Sequence, residues 1–167
     1  MAAPGATAEP TAAPGAGLPP PGPGCFDDSV ITIDEAQTLC AAARAAADDL
    51  GVPMSFAVMD PGGHLVAVAR MDGAPWISAD VAQGKAWTSA AYGAPSHAQK
   101  EKMTPMPNFA GALTTMTHGR FTPQTGAVPV FRGGVLIGAL GASGGTGDQD
   151  EAVCSTAVQG SGFTTSR

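Results

Sequence analysis

Two apolar runs flank Asp60-Pro61-Gly62-Gly63 inside Met54–Asp72, MSFAVMDPGGHLVAVARMD, and this stretch limits the fold more than any other. Ser55–Met59 and Leu65–Ala69 read as strands. Between them Pro presets φ for a turn and Gly supplies positive φ, so the segment predicts a β-hairpin. Side chains alternate along a strand, which places His64, Val66, Val68 and Arg70 on one face and Leu65, Ala67, Ala69 and Met71 on the other. Both faces are then largely apolar, as in a central strand covered on both sides. Arg70 and Asp72 enter where the apolar run stops, and a polar group at a strand end needs a partner.

The rest of the chain alternates helices with a second hairpin. Thr32 and Glu35 form a capping box, and Ala36, Leu39, Cys40, Ala43, Ala47 and Leu50 follow at helical spacing. Gly51 and Pro53 stop that helix, giving Ile33–Leu50. A second helix is predicted over Ser78–Tyr92, a third over Ser96–Met103 and a fourth over Asn108–Thr117. Gly84 lies inside the second at a cost of about 1 kcal/mol relative to Ala, which implies close approach by another backbone or a ligand. Phe121–Thr125 reads as irregular or as a short strand. Ala127–Phe131 and Val135–Ala142 read as a hairpin closed by Arg132-Gly133-Gly134. Thr146 and Gln149 form a second capping box, opening a helix from Gly147 to about Gln159. The expected class is α+β, an antiparallel sheet of about five strands with helices packed around it. Residues 1–28 are expected to be a disordered Ala/Pro/Gly-rich tail, 29–160 a single domain and 161–167 a C-terminal tail.

Composition narrows the partners. Net charge is −6, which disfavours nucleic acid and anionic membranes as partners. No apolar run approaches the roughly 20 residues that span a bilayer. The opening segment lacks a basic start and an apolar stretch, so the expected location is the cytoplasm. Cys25, Cys40 and Cys154 show no CxxC spacing and are odd in number, against a disulfide framework or a zinc site. No dinucleotide fingerprint or Gly-Lys-Ser/Thr loop is present, so no nucleotide cofactor is predicted.

Lys85 sits among small residues, where its ammonium could meet a carboxylate or a ligand anion. With Arg70, Asp60 and Asp72 it would give one site two cations and two carboxylates, a set suited to binding and proton transfer. Ser143, Gly144 and Gly145 precede a helix N-terminus and are candidate anion ligands. Asp148, Asp150 and Glu151 occupy that helix's first turn and compete for the same dipole. His64, His97 and His118 lack metal-ligand spacing, but a single His suffices for haem iron, making His118 or His97 the candidate axial ligand. The expected ligand position lies between the end of the first hairpin, the Lys85 face of the second helix and the loop Phe109–Gln124 that carries His118 and Arg120.

Several segments resemble one known family. They are Leu50-Gly51-Val52-Pro53, Val58–Val66 with its Asp-Pro-Gly-Gly-His turn, Arg70–Ala74, Lys85–Ala90, Gly126–Pro129 and Gly138–Gly145. Between about Ile31 and Val158 the chain is similar to the GlcG/HbpS (haem-degrading, DUF336) family. The resemblance implies an antiparallel sheet surrounded by helices and a homo-oligomer built from dimers, up to rings or octamers. Family members include haem-binding redox sensors and a haem-binding domain attached to a corrinoid adenosyltransferase, so haem is the implied cofactor. Axial ligands are not shared among members. The chain departs from the pattern at Phe109–Gln124 and at Gly126-Ala127, which implies a change of small-molecule ligand.

Three functions fit these readings. The first is a small-ligand binder of haem or a related tetrapyrrole. Second is an isomerase, tautomerase or lyase acting on a small oxygenated metabolite through Lys85, Arg70 and an Asp. The third is an assembly protein using its Pro-rich tail.

Overall fold

The computed structural model describes residues 29–167. The expected tail over 1–28, with Cys25, lies outside the described residues. Helix α1 (Ile33–Leu50) leads into strands β1 (Ser55–Met59) and β2 (Leu65–Arg70). Helices α2 (Ser78–Tyr92), α3 (Ser96–Met103) and α4 (Pro107–Met116) follow. Strands β3 (Ala127–Arg132) and β4 (Val135–Ser143) and helix α5 (Gly147–Gly160) complete the fold. Both capping boxes form. Thr32 accepts from Glu35 N, Thr146 accepts from Gln149 N, and each N3 side chain reaches back to its cap. Gly51 and Gly93 end their helices in the left-handed conformation that Gly alone adopts cheaply.

The sheet is antiparallel, in order β2-β1-β4-β3. It has four strands among the described residues; 121–125 is irregular, in line with the first of the two readings for that segment. The first hairpin requires a correction. Strand β1 is buried along its whole length, whereas β2 is an edge strand with Leu65 and Val68 each 47% exposed. Both strands are apolar, so only the long-range pairing of β1 with β4 decides which lies inside. Strict alternation also fails, because a register shift at Val58/Met59 pairs Leu65 with Met59 and Ala67 with Val58.

Helices α1 and α5 cover one face of the sheet. Leu39, Phe56, Val58, Val130, Ile137, Leu140 and Val153 pack there with the alanines of α1. Helix α2 covers the other face through Ala82, Ala86 and Ala90 against Ala57, Met59 and Ala139. The segment after α5, expected to be a tail, returns to the fold. Phe131 and Thr164 exchange backbone hydrogen bonds along β3, and Phe163 packs on the α1/α5 core.

Candidate functional site

The sequence-predicted residues divide among five places. Lys85 is buried, and its Nζ donates to Asp150 Oδ2 at 2.7 Å and to the Ala142 carbonyl at 3.1 Å. The other Asp150 oxygen accepts from Gly145 N at 2.9 Å. The ion pair therefore crosses from α2 to α5 past the start of β3. Gly126 makes room for it, since a Cβ there would lie 2.6 Å from Lys85 Nζ. Alongside, burial pushes the Cys154 thiol well above its ordinary pKa, and the Asp150 carboxylate pushes the same way. Ser143, Gly144 and Gly145 join this cluster as backbone. Gly145 N–H is taken by Asp150 and Thr146 N–H by Gln149, so α5 itself caps the turn.

Arg70 and Asp72 lie elsewhere, in a groove of about 780 Å³ between α1 and the β2 edge. Its helix wall is the stripe Ile33, Gln37, Cys40, Ala41, Arg44 and Asp48. Its floor and strand wall are Phe56 and Val66–Asp72. Helix α1 ends at Leu50, five residues before Ser55, and Ser55 pairs with Arg70. Arg44, Asp48, Arg70 and Asp72 are thereby gathered toward one end, with Ile33 and Val66 toward the other. Arg44 pairs with Asp48 at 3.6 Å, whereas among the described residues Arg70 donates only to the Ala74 carbonyl at 3.4 Å. Burial pushes the Cys40 thiol to a pKa of about 11, so it carries its proton at neutral pH.

His118 and Arg120 line a second groove, of about 370 Å³, between the first hairpin's turn and α2. The expected meeting of hairpin, second helix and loop occurs here, but at Gly63 rather than at the Arg70 end. Gly84 does admit a close neighbour: the Thr122 side chain lies against it, with the Arg120 carbonyl beyond. Asp60 stays within its own turn, accepting from His64 N at 2.9 Å and meeting His64 Nδ1 at 3.2 Å. His97 lines a cleft between α3 and α5, where Nδ1 meets Glu151 Oε1 at 2.7 Å. The structure thus does not bring Lys85 and Arg70 to one cavity, and the Lys85 ammonium is committed to Asp150.

Sequence reasoning missed Gln37 and Arg44 and took Cys40 only as a packed thiol. The signal was available: positions 33, 37, 40, 41, 44 and 48 recur at helical spacing beside the alanine stripe.

A four-stranded antiparallel sheet with α2 on one face and α1 and α5 on the other, grooved along its open edge, defines an α+β domain. The chain belongs to the HbpS-like family: the model for "Haem degrading protein HbpS-like" matches residues 31–159. A 15.0 kDa uncharacterized protein from the dhaT-dhaS intergenic region of Citrobacter freundii is 33% identical over 130 residues, covering 78% of this chain and 91% of that one. The corrinoid adenosyltransferase PduO of the same organism is 30% identical over 128 residues, which are 77% of this chain but only 38% of PduO. The crystal structure of the PduOC–haem complex superposes with a TM-score of 0.73 at 28% identity, covering 83% of this chain and 99% of that one.

Proposed function

We propose that this protein binds haem, in the groove between α1 and β2. The observation that carries the reading is a groove of about 780 Å³ whose lining joins an apolar part, Ile33, Val66, Ala67 and Ala69, to a charged end with two guanidinium groups beside Asp48 and Asp72. Haem presents the complementary pattern, a flat apolar ring with both carboxylates on one edge. Its area needs a groove in the range of about 300–1,000 Å³ typical of small-molecule sites. Arg44 and Arg70 would hold the propionates through charge-assisted hydrogen bonds. Ala41, Val66, Ala67 and Ala69 would flank the ring. The similarity to the haem-bound PduOC domain supports the same ligand.

Cys40 and Met71 are the sulfur groups lining this groove and are the candidate iron ligands. Met71 Sδ accepts from Met54 N at 3.3 Å and would give up that contact to bind iron. Cys40 would lose its proton on binding as thiolate, so a Cys40-held haem binds more tightly as pH rises toward the thiol pKa of about 11. When bound, haem supplies a redox-active iron; the residues of this chain position it and limit water access.

Hemin titration of the full chain tests the reading. A saturable Soret shift with defined stoichiometry is expected, weakened roughly tenfold or more in the Arg44→Ala/Arg70→Ala double variant and unchanged in His118→Ala. Non-saturating absorbance, or equal binding by the Arg44/Arg70 variant, would overturn it. Loss of binding in His118→Ala would move the haem to the second groove.

A further inference from the structure

The second groove gathers donors that meet no acid among the described residues. His64 and His97 each meet a carboxylate, but the His118 imidazole makes no hydrogen bond among the described residues. Arg44 and Arg132 each pair with an acid. Arg120 instead donates Nε to the Thr117 carbonyl at 3.1 Å and lays its guanidinium 5.4 Å from the Trp87 ring. Its terminal nitrogens meet no carboxylate among the described residues. Trp87 Nε1 is likewise without a hydrogen bond there; a Cβ on Gly63 would lie 2.5 Å from it, so the turn glycine is what lets the indole stand at the groove wall.

The groove is also built rather than incidental. Asp80, Gln83, Gly84 and Trp87 lie at successive turns of one α2 face. The loop opposite is pinned to that helix. Thr122 N donates to Thr88 Oγ1 at 2.8 Å, and the Thr122 side chain packs on Gly84. Phe121 is buried, with its N–H on Thr117 Oγ1 at 3.0 Å and its carbonyl accepting from Thr114 Oγ1 at 3.1 Å. Between these anchors the backbone turns through His118 at φ 54° and Gly119 at φ 81°. A non-glycine residue at positive φ is uncommon; here it closes the end of α4, with the His118 and Gly119 N–H groups on the Thr115 and Thr114 carbonyls.

We propose that this groove is a binding site for a small carboxylate, separate from the α1–β2 groove. His118, Arg120 and Trp87, whose ring and terminal donors have no partner among the described residues, line one cavity of about 370 Å³, large enough for a compact planar acid. A guanidinium already stacked on an indole has lost much of its freedom and offers its fork to a carboxylate. The His118 ring reaches a second ligand oxygen. Asp80 is the acid on this wall, and it disfavours a second negative charge at that side.

Titration of the full chain with sodium benzoate, and with benzamide as its uncharged counterpart, tests this site at constant ionic strength. The NMR signals of the Trp87 indole N–H and the His118 ring are followed, assigned with Trp76→Phe and His118→Gln. Saturable shifts with benzoate and none with benzamide are expected. Arg120→Gln should weaken benzoate roughly tenfold, and Arg120→Lys should recover part of that loss. If Arg120→Gln unfolds the chain, His118→Gln carries the comparison with a smaller loss. Equal responses to both probes, or benzoate binding indifferent to these variants, would overturn the site. Loss of hemin binding in a folded Arg120→Gln chain would overturn its separateness, whereas failure of hemin binding in the unaltered chain leaves the carboxylate result standing.

Discussion

The two faces of the sheet are packed on different terms. Toward α1 and α5 the strands send Phe56, Val58, Val130, Ile137 and Leu140, which fill space with side-chain volume. Toward α2 they send Ala57, Ala139 and Gly141, and the helix answers with Ala82 and Ala86. One face gains from burying large apolar groups. The other lets backbones approach until no methyl group fits, and the ammonium of Lys85 threads from that layer to Asp150 on the opposite side. Substitutions should therefore hurt in different ways: by emptying space on the first face, by filling it on the second, and by orphaning a charge where the two meet.

The largest effect is expected at the junction. Asp150→Ala leaves the Lys85 ammonium buried without its counter-ion and Gly145 N–H without its acceptor, and should cost about 3–5 kcal/mol in urea unfolding. The double variant Lys85→Met/Asp150→Leu should recover most of that loss, because no uncompensated charge remains. A small loss for Asp150→Ala alone would mean the pair is not desolvated as described. On the large-residue face, Leu140→Ala should cost about 2–5 kcal/mol through lost burial and a residual cavity. Its neighbour on the opposite face should be the mildest. Gly141→Ala adds a Cβ that would press on the Ala82 carbonyl and lie 2.8 Å from Ala86 N, so α2 must shift, at about 1–3 kcal/mol. If Gly141→Ala were stabilising, the close-approach account of the α2 face would fail.

Local chemistry made most of the elements readable. Thr32 with Glu35 and Thr146 with Gln149 announce two helix starts, Gly51 and Gly93 two ends, and Asp60–Gly63 a turn. These signals act within a few residues and survive any tertiary context. What was not readable depended on partners far along the chain. Nothing inside Ser55–Met59 or Leu65–Arg70 says which strand meets β4, and so which becomes the edge. The Lys85–Asp150 pair spans 65 positions, and Asp150 at a helix start had an adequate local explanation as a dipole partner. Arg70 and His118 were recognised as polar groups in need of a role. Their assignment to separate grooves follows from where α1 and the 117–122 loop pack, which spacing alone does not encode.

The Lys85–Asp150 contact bears on the order of events during folding. It joins α2 to the last helix, across α3, α4 and the second hairpin. Closing it requires β4 to be paired, Gly126 to be seated and the first turn of α5 to be docked, each a long-range event with its own loop-closure entropy. A contact with so many prerequisites is expected to form after the rate-limiting barrier, so that Asp150→Ala speeds unfolding and leaves the folding rate nearly unchanged in a chevron. Its strength then governs how slowly the native state opens, while leaving the rate of acquiring that state nearly unchanged.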